Sequence, residues 1–142
     1  MSLIVLGLSG ALTHDPSAAL YVDGKLVAAA EEERFIRDKH AKNQMPLHAA
    51  RFCMEFAGVR PDDIDVVAFP FAKVSLLSPA RWHFAKRYWY APERSLDALI
   101  NGNRHYRRNV LRVRNLLVEL DIDWDKIDFD PVQHHIAHAS SA

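Results

Sequence analysis

The chain has 142 residues, of which 49% are hydrophobic and 25% are charged, and its 18 basic side chains balance its 18 acidic ones. Such a length suits about one domain, and the composition is typical of a globular protein and excludes an intrinsically disordered one. The zero net charge gives no overall attraction to nucleic acid or anionic lipid. No apolar run approaches the ~18 residues of a membrane span, so we expect no membrane partner.

Strands are predicted at the start of the chain. Residues 3–8 form a continuous apolar run, which is typical of a strand buried on both faces. No basic segment precedes this run, as a signal peptide would require, so we expect a cytoplasmic protein. Residues 17–22 and 25–30 flank Asp23 and Gly24, a favoured two-residue turn, and predict a β-hairpin.

A charged loop and a helix are predicted next. Residues 31–34 are expected to be too charged for the core, and residues 34–46 are expected to form a surface loop. Apolar residues then recur with helical spacing through residues 47–57, and Gly58 follows where a helix C-cap favours glycine. The single cysteine, Cys53, lies in this helical pattern and is expected to be a buried, reduced thiol.

The second half of the chain begins with a predicted strand at residues 64–69 and continues with a basic stretch. Residues 81–114 carry nine of the 18 basic side chains and only two acidic ones, interleaved with aromatic residues. This composition is typical of a groove for single-stranded nucleic acid, and equally of a helical insertion whose arginines face water. We favour the insertion because the whole chain is neutral. Apolar spacing predicts one long helix over residues 106–120, and a short strand and the first turns of a helix follow at 129–132 and 134–142.

Residues 7–15 (GLSGALTHD) form a small-residue turn between two predicted strands. Glycines allow backbone N–H groups to approach an anion closely, and the hydroxyls of Ser9 and Thr13 add donors. His14 and Asp15 could serve as acid, base or substrate anchor. A hairpin turn whose polar side chains cap their own backbone accounts for the same residues, so both interpretations stay open.

Two further motifs carry histidine or charge. In residues 133–138 (QHHIAH), His134 and His138 are four positions apart, so on a helix they share a face and could bind one metal ion together. A third ligand would have to come from elsewhere, and a solvated helix start with chance histidines is the alternative. The charged loop at residues 31–40 could neutralise a phosphate beside the small-residue turn, or could be a solvated linker.

Four of these segments, taken in order, resemble the N-terminal part of O-carbamoyltransferases, which modify antibiotics and nodulation factors. The segments are residues 4–20, 23–35, 37–40 and 134–142. The resemblance implies a ribonuclease-H-like, actin-like ATPase (ASKHA) half-domain. This is an α/β fold with a mixed sheet, in which a β-hairpin is followed by a helix and a strand, plus a helical insertion at residues 70–127.

The resemblance also implies a reaction. ATP and carbamoyl phosphate form a carbamoyl-adenylate in a second domain, and the carbamoyl group then passes to a hydroxyl of a small-molecule acceptor beside a divalent metal, iron or alternatively zinc. Position by position, it implies three groups of site residues. These are His134 and His138 as metal ligands, His14 and Asp15 near the acceptor hydroxyl as base or orienting group, and Ser9, Gly10 and Lys39 at the nucleotide or carbamoyl end.

Only the first part of such an enzyme lies within residues 1–142. Because the downstream metal carboxylates and the adenylate-forming domain fall outside it, we expect this polypeptide alone to be inactive and to bind metal weakly. Uncovered strand edges are then expected to produce homo-oligomers. Where the family usually has Phe-Pro, this chain has Met45 and Pro46, a change that we expect to affect packing rather than chemistry.

Two alternative functions stay open. The first is a threonylcarbamoyl transfer to tRNA, since the universal protein of that reaction shares the architecture that the resemblance implies. The basic and aromatic residues 81–114 would favour it if they lined a groove. The second is a metal- or nucleotide-binding module without turnover.

Overall fold

The computed structural model describes residues 2–10, 15–75 and 77–133. Its strands and helices are, in chain order, β1 (Ile4–Leu8), β2 (Ser17–Val22), β3 (Lys25–Glu31), α1 (Glu33–Ile36), α2 (Leu47–Ala57), β4 (Val66–Phe69), α3 (Pro79–Arg87), α4 (Pro92–Asn101), α5 (Arg104–Glu119) and β5 (Asp128–Pro131). Short 3₁₀ helices at Lys39–Ala41 and Pro61–Asp63 precede α2 and β4. Across the described ranges, no helix is long and apolar enough to cross a membrane.

The five strands form one mixed sheet in the order β3-β2-β1-β4-β5. Strands β1, β2 and β3 are antiparallel neighbours, whereas β4 runs parallel to β1 and β5 runs parallel to β4. The hairpin between β2 and β3 turns at Asp23 and Gly24, both of which have positive φ, as the sequence predicted. This strand order, with the hairpin followed by a helix and a strand, confirms the predicted α/β fold with a mixed sheet.

One face of the sheet carries the hydrophobic core, and α2 and α5 cover that face. The predicted bounds of α2 are confirmed, and Gly58 ends the helix in the left-handed conformation (φ 65°). Cys53 of α2 is fully buried, as expected, and this burial raises the pKa of its thiol. The buried side chains of this core include Leu6, Leu8, Leu20, Val67 and Phe69 from the sheet and Cys53, Met54, Val113, Leu116 and Leu117 from the helices.

The opposite face of the sheet carries small residues. Gly7 lies between Ala19 of β2 and Ala68 of β4, and Ala29 of β3 pairs with Ala19. Gly7 is only half-buried, so the prediction that β1 is buried on both faces is wrong for this side. The reason is that α2 and α5 both pack on the other face, where Leu6 and Leu8 point.

The charged segment after β3 is more ordered and more buried than the sequence predicted. Glu32 has only 1% of its surface exposed, and Ala41 is fully buried. Residues 33–41 contain α1 and a 3₁₀ helix instead of a continuous surface loop. The expectation that residues 31–34 are too charged for the core is therefore wrong for Glu32, whose carboxylate has hydrogen-bond donors inside the fold.

The basic stretch forms three helices. The long helix predicted over residues 106–120 is α5, and its residues Val113, Leu116 and Leu117 belong to the core. Helices α3 and α4 pack against each other and leave large apolar side chains exposed. The exposed apolar side chains of this helical pair and its connection are Trp82, Phe84, Trp89, Tyr90, Leu96 and Ile100.

Two glycine substitutions separate backbone strain from steric overlap. Gly24→Ala places a methyl group at φ 76° with no atom within 4 Å, so it should cost about 1–2 kcal/mol in the free energy of unfolding. Gly10→Ala, at φ 110°, also brings the new Cβ to 2.6 Å from Cβ of Pro16 and should cost clearly more. Chemical denaturation of both variants measures the difference, and equal losses would contradict the tight packing of Gly10 on Pro16.

Candidate functional site

Several strand ends meet at one edge of the sheet. Strands β1, β4 and β5 are mutually parallel, and β3 runs in the same direction because both β1 and β3 are antiparallel to β2. Their carboxyl ends, at Leu8, Glu31, Phe69 and Pro131, therefore lie along one edge, together with the start of β2 at Ser17. Ligands of open α/β sheets bind in the crevice outside the carboxyl ends of the strands, so this edge is the candidate site.

The turn that follows β1 is held by its own polar groups. The Ser9 backbone N–H donates to the Ser17 carbonyl (2.9 Å), and the two serine hydroxyls are hydrogen-bonded to each other (2.8 Å). Gly10 follows at φ 110° and lies against Pro16, where a larger residue would overlap. The hairpin-turn interpretation of this segment thus accounts for the internal bonds of Ser9 and the conformation of Gly10.

Asp15 and His40 connect this turn to the segment after β3. The backbone N–H of Asp15 donates to the His40 carbonyl (2.9 Å), and His40 Nδ1 donates to Asp15 Oδ1 (2.8 Å). The direction of the second bond follows because an ionised carboxylate can only accept. The backbone N–H of His40 in turn donates to Glu33 Oε2 (3.0 Å). Residues far apart in sequence are therefore joined at the carboxyl edge.

The loop that carries Lys39 has an unusual backbone. Arg37, His40, Ala41 and Asn43 all have positive φ, at 55°, 66°, 37° and 61°. Such conformations cost energy for residues other than glycine and persist only where surrounding contacts hold them. Lys39 itself is exposed, so its ammonium group is accessible at this edge.

Glu32 anchors the other end of the same loop. Its two carboxylate oxygens accept the backbone N–H groups of His48 (3.2 Å) and Ala49 (2.9 Å) in the first turn of α2, and His48 Nδ1 lies 2.5 Å from Oε1. A carboxylate at a helix N-terminus satisfies otherwise unpaired donors and interacts favourably with the helix dipole. The backbone N–H of Glu32 also donates to the Pro16 carbonyl (2.9 Å), which ties this anchor to the turn before β2.

Three side chains at this edge are of the types that bind cations. One oxygen each of Asp15 and Glu33 and one ring nitrogen of His40 lie within 4.8 Å of one another. Carboxylate and imidazole ligands suit divalent transition metals. In the structure these groups are engaged with each other, through the Asp15–His40 side-chain bond and the bond from the His40 backbone to Glu33.

An apolar cleft lies beside the site, with a volume of about 590 Å³. It runs along the small-residue face of the sheet, past Gly7, Ala19 and Ala68, and ends at the carboxyl edge near Ser9 and Val132. A cleft of this size, apolar with a few polar groups at one end, is the kind of space that a small molecule occupies.

The structure brings together part of the predicted site. Four predicted residues, Ser9, Gly10, Asp15 and Lys39, lie in the segments that meet at the carboxyl edge. The other three, His14, His134 and His138, lie outside the described residues. In the sequence, His14 immediately precedes Asp15, and His134 follows the last residue of β5, Pro131, by three positions.

Sequence reasoning missed Glu32 and His40 as structural partners of the site. Glu32 was one of three consecutive glutamates, and nothing in that run distinguishes the buried one. Its partners at the start of α2 are 16 and 17 positions away, and those of His40 include Asp15 at 25 positions. One local signal was the proline before Leu47. Pro46 has no side chain that can accept a hydrogen bond, so the first N–H groups of α2 need an acceptor from elsewhere in the fold.

Comparisons with known proteins place the chain in one family and give two relatives of similar sequence. A sequence model of the family described as Carbamoyltransferase N-terminus matches residues 4–142. The nodulation protein NolNO of Sinorhizobium fredii is 32% identical over 99% of this chain and 21% of its own length. An uncharacterized Synechocystis protein is 33% identical over 97% of this chain and 22% of its own length. The chain thus spans about a fifth of the length of these two relatives.

Solved structures give a more distant likeness. YeaZ from Pseudomonas aeruginosa is 16% identical, with a TM-score of 0.46 over 91% of this chain and 44% of that one. An uncharacterized protein with similarity to peptidase YeaZ, also from P. aeruginosa, is 15% identical, with a TM-score of 0.44 over 91% of this chain and 43% of that one.

The role of Glu32 can be tested by removing its carboxylate. Glu32→Ala leaves two N–H groups of α2 without their acceptor and should lower the free energy of unfolding by about 3 kcal/mol. Glu32→Gln keeps one side-chain acceptor and should cost less. The neighbouring Glu31→Ala removes only a solvent-exposed pair with Arg34 and should cost less than about 1 kcal/mol. Denaturant titration of the three variants would contradict the anchor if the Glu31 and Glu32 variants lost equal stability.

Proposed function

This chain belongs to the family described as the carbamoyltransferase N-terminus, and on that premise we propose that it passes a carbamoyl group from carbamoyl-adenylate to a hydroxyl of a small-molecule acceptor. Since the chain spans 21% of NolNO, we propose that it acts as the N-terminal part of such an enzyme, with the adenylate made elsewhere from ATP and carbamoyl phosphate. By itself the chain would then be inactive.

The observation that carries this proposal is the convergence at the carboxyl edge of the sheet. The turn after β1 and the Lys39 loop after β3 are hydrogen-bonded together there, through Asp15 and His40. The segment after β5 leaves the sheet from the same edge at Pro131. The turn after β1 and the Lys39 loop supply hydroxyl groups and a cation beside one crevice, which are groups that an adenylate requires. In the sequence, His134 and His138 follow β5.

The transfer needs few groups from the protein. The acceptor hydroxyl oxygen attacks the carbamoyl carbon, the bond from that carbon to the adenylate phosphate oxygen breaks, and AMP leaves. His14 is the base that takes the hydroxyl proton as the new carbon–oxygen bond forms. Lys39, exposed at the edge, would interact with the phosphate and balance the negative charge on the departing AMP. Ser9 and Gly10 would contact the nucleotide or carbamoyl end.

A divalent metal is part of the proposal. His134 and His138, four positions apart, offer two imidazole ligands, a donor set that fits iron or zinc. Such an ion would polarise the carbamoyl carbonyl or the acceptor hydroxyl.

A threonylcarbamoyl transfer to tRNA is the alternative reaction. The observation in its favour is the exposed aromatic side chains of Trp82, Trp89 and Tyr90 within a stretch that carries nine basic residues and two acidic ones. Exposed aromatics among cations can stack on unpaired bases. None of these three residues belongs to the segments that meet at the carboxyl edge, so the two functions predict different effects of mutation.

The proposal is tested with the protein expressed from its complete gene. We expect ATP turnover that depends on carbamoyl phosphate, and carbamoylation of an antibiotic or nodulation-factor hydroxyl detected by mass spectrometry. His14→Ala should lower kcat by about 10²- to 10⁴-fold, the range of general-base catalysis. His138→Ala should abolish the transfer while adenylate still forms.

The matched control is His83→Ala, since His83 is an exposed histidine on α3. It should leave carbamoyl transfer unchanged. ATP turnover that is indifferent to carbamoyl phosphate would refute the proposal. If the protein then transferred the threonylcarbamoyl group from threonylcarbamoyl-adenylate to tRNA, and Trp89→Ala reduced this transfer, the tRNA reaction would replace carbamoyl transfer as the proposed function.

A further inference from the structure

The junction of α4 and α5 carries polar side chains that the proposed function leaves unused. A cavity of about 260 Å³ opens there, lined by the end of α4 and by Gly102, Arg104, His105 and Arg108. We infer that this cavity binds a phosphate dianion, either free phosphate or the phosphate group of a nucleotide. The inference is independent of carbamoyl transfer, because none of these residues takes part in the proposed reaction.

The first argument is a buried arginine beside this cavity. Only 7% of the Arg81 surface is exposed, although the sequence predicted arginines that face water. Its Nη1 atom donates to the Leu99 carbonyl (3.4 Å), whereas Nε and Nη2 have no hydrogen-bond partner among the residues that the structure describes. A buried charge with unmet hydrogen bonds costs stability. Nε and Nη2 form one edge of the guanidinium, and such an edge matches two oxygens of a phosphate.

The position of this edge is fixed by Gly102. A Cβ atom built on Gly102 would lie 2.5 Å from Nη2 and 2.6 Å from Nε of Arg81. Gly102 also lines the cavity, so the two nitrogen atoms without partners adjoin the cavity wall. A residue with a side chain at position 102 would displace the guanidinium, and glycine allows this close approach.

The second argument is the start of α5. No side chain caps this helix, because both amide atoms of its N-cap residue, Asn103, are hydrogen-bonded to the backbone of Val74 (2.9 Å each). The first N–H groups of a helix have no partner within the helix, and together with the helix dipole they attract anions. The cavity at the start of α5 therefore offers backbone donors as well as the guanidinium.

The third argument is the charge of the first turns of α5. They contain Arg104, His105, Arg107 and Arg108 and no acidic residue in the first turn. Cations at a helix N-terminus oppose the helix dipole, and like charges four positions apart repel each other, as in the pair Arg104 and Arg108. A bound dianion would relieve both costs.

One acidic residue, Asp97 of α4, also lines the cavity. Its Oδ1 accepts a hydrogen bond from Asn101 Nδ2 (2.8 Å), so this carboxylate is directed to its own helix. The two lining arginines and Arg81 together exceed this single negative charge by two. That excess is the charge that a phosphate dianion balances.

The size of the cavity limits the ligand. Pockets for drug-sized molecules have volumes of about 300–1,000 Å³, and this cavity is smaller. It would accommodate a phosphate group, and the nucleoside part of a nucleotide would lie outside it. Arginine forks and a helix N-terminus are the groups that recognise phosphate in proteins.

The test is hydrogen–deuterium exchange of the protein expressed from its complete gene, titrated with inorganic phosphate at constant ionic strength. Phosphate should slow exchange in peptides that span residues 99–110. Arg108→Gln should weaken this apparent affinity by about 10- to 100-fold, the loss of one charge-assisted contact. The matched control is Arg87→Gln, an exposed arginine at the end of α3, which should bind phosphate as the wild type does.

A second variant separates binding from a structural role of Arg81. Arg81→Met replaces a buried charge that lacks partners with an apolar side chain of similar length, so the thermal midpoint without phosphate should stay equal or rise. The protection of residues 99–110 by phosphate should be lost. An Arg81→Met protein that is less stable than the wild type and binds phosphate with unchanged affinity would overturn the inference.

AMP distinguishes the source of the phosphate group. Protection of residues 99–110 by AMP as well as by phosphate indicates a nucleotide ligand, and protection by phosphate alone indicates the free ion. If neither slows exchange there, or if Arg87→Gln weakens binding as much as Arg108→Gln, the cavity is not a phosphate site. Protection by a single-stranded RNA oligomer, where phosphate and AMP have no effect, would also overturn the inference and would favour a nucleic-acid surface.

Discussion

The buried carboxylate of Glu32 is the constraint on which the site geometry depends. A charge in the core is tolerated only where hydrogen bonds replace its hydration, and Glu32 obtains them from the first turn of α2. These hydrogen bonds fix the start of α2 against the end of β3. The segment between them, residues 33–46, is therefore a loop that is held at both ends. Lys39 and His40 lie in that loop, so the position of the candidate site follows from the way one helix is capped.

The division of the sheet into two faces gives the fold its functional edge. Leucines on one face bury against α2 and α5, whereas Gly7, Ala19 and Ala68 leave the other face open as an apolar cleft. The edge formed by the carboxyl ends of β1, β3, β4 and β5 borders both faces of the sheet. Polar turns and loops can carry chemistry at this row because the sheet beneath them is rigid and their own bonds hold them in strained conformations.

Local patterns were sufficient to predict most elements and insufficient to predict the contacts at the site. The hairpin at Asp23 and Gly24, the helix ending at Gly58 and the long helix α5 each depend on residues within a few positions of one another, and all three are confirmed. The burial of Glu32 depends on donors 16 and 17 positions away, so a local pattern makes it resemble its exposed neighbour Glu31. The family resemblance supplied candidate residues at the edge, and the hydrogen bond between Asp15 and His40 became evident only from the fold.

The central claim is that the carboxyl edge, and not the exposed aromatic surface of α3, α4 and their connection, receives the carbamoyl-adenylate. Hydrogen–deuterium exchange of the protein expressed from its complete gene tests this most directly, with and without a hydrolysis-resistant sulfamoyl analogue of the adenylate. We expect the analogue to slow exchange in peptides that contain Ser9 to Pro16 and Lys39 to Gln44, and to leave peptides of α3 and α4 unchanged. Protection confined to residues 79–101 would contradict the account and would identify the exposed aromatic surface as the binding site.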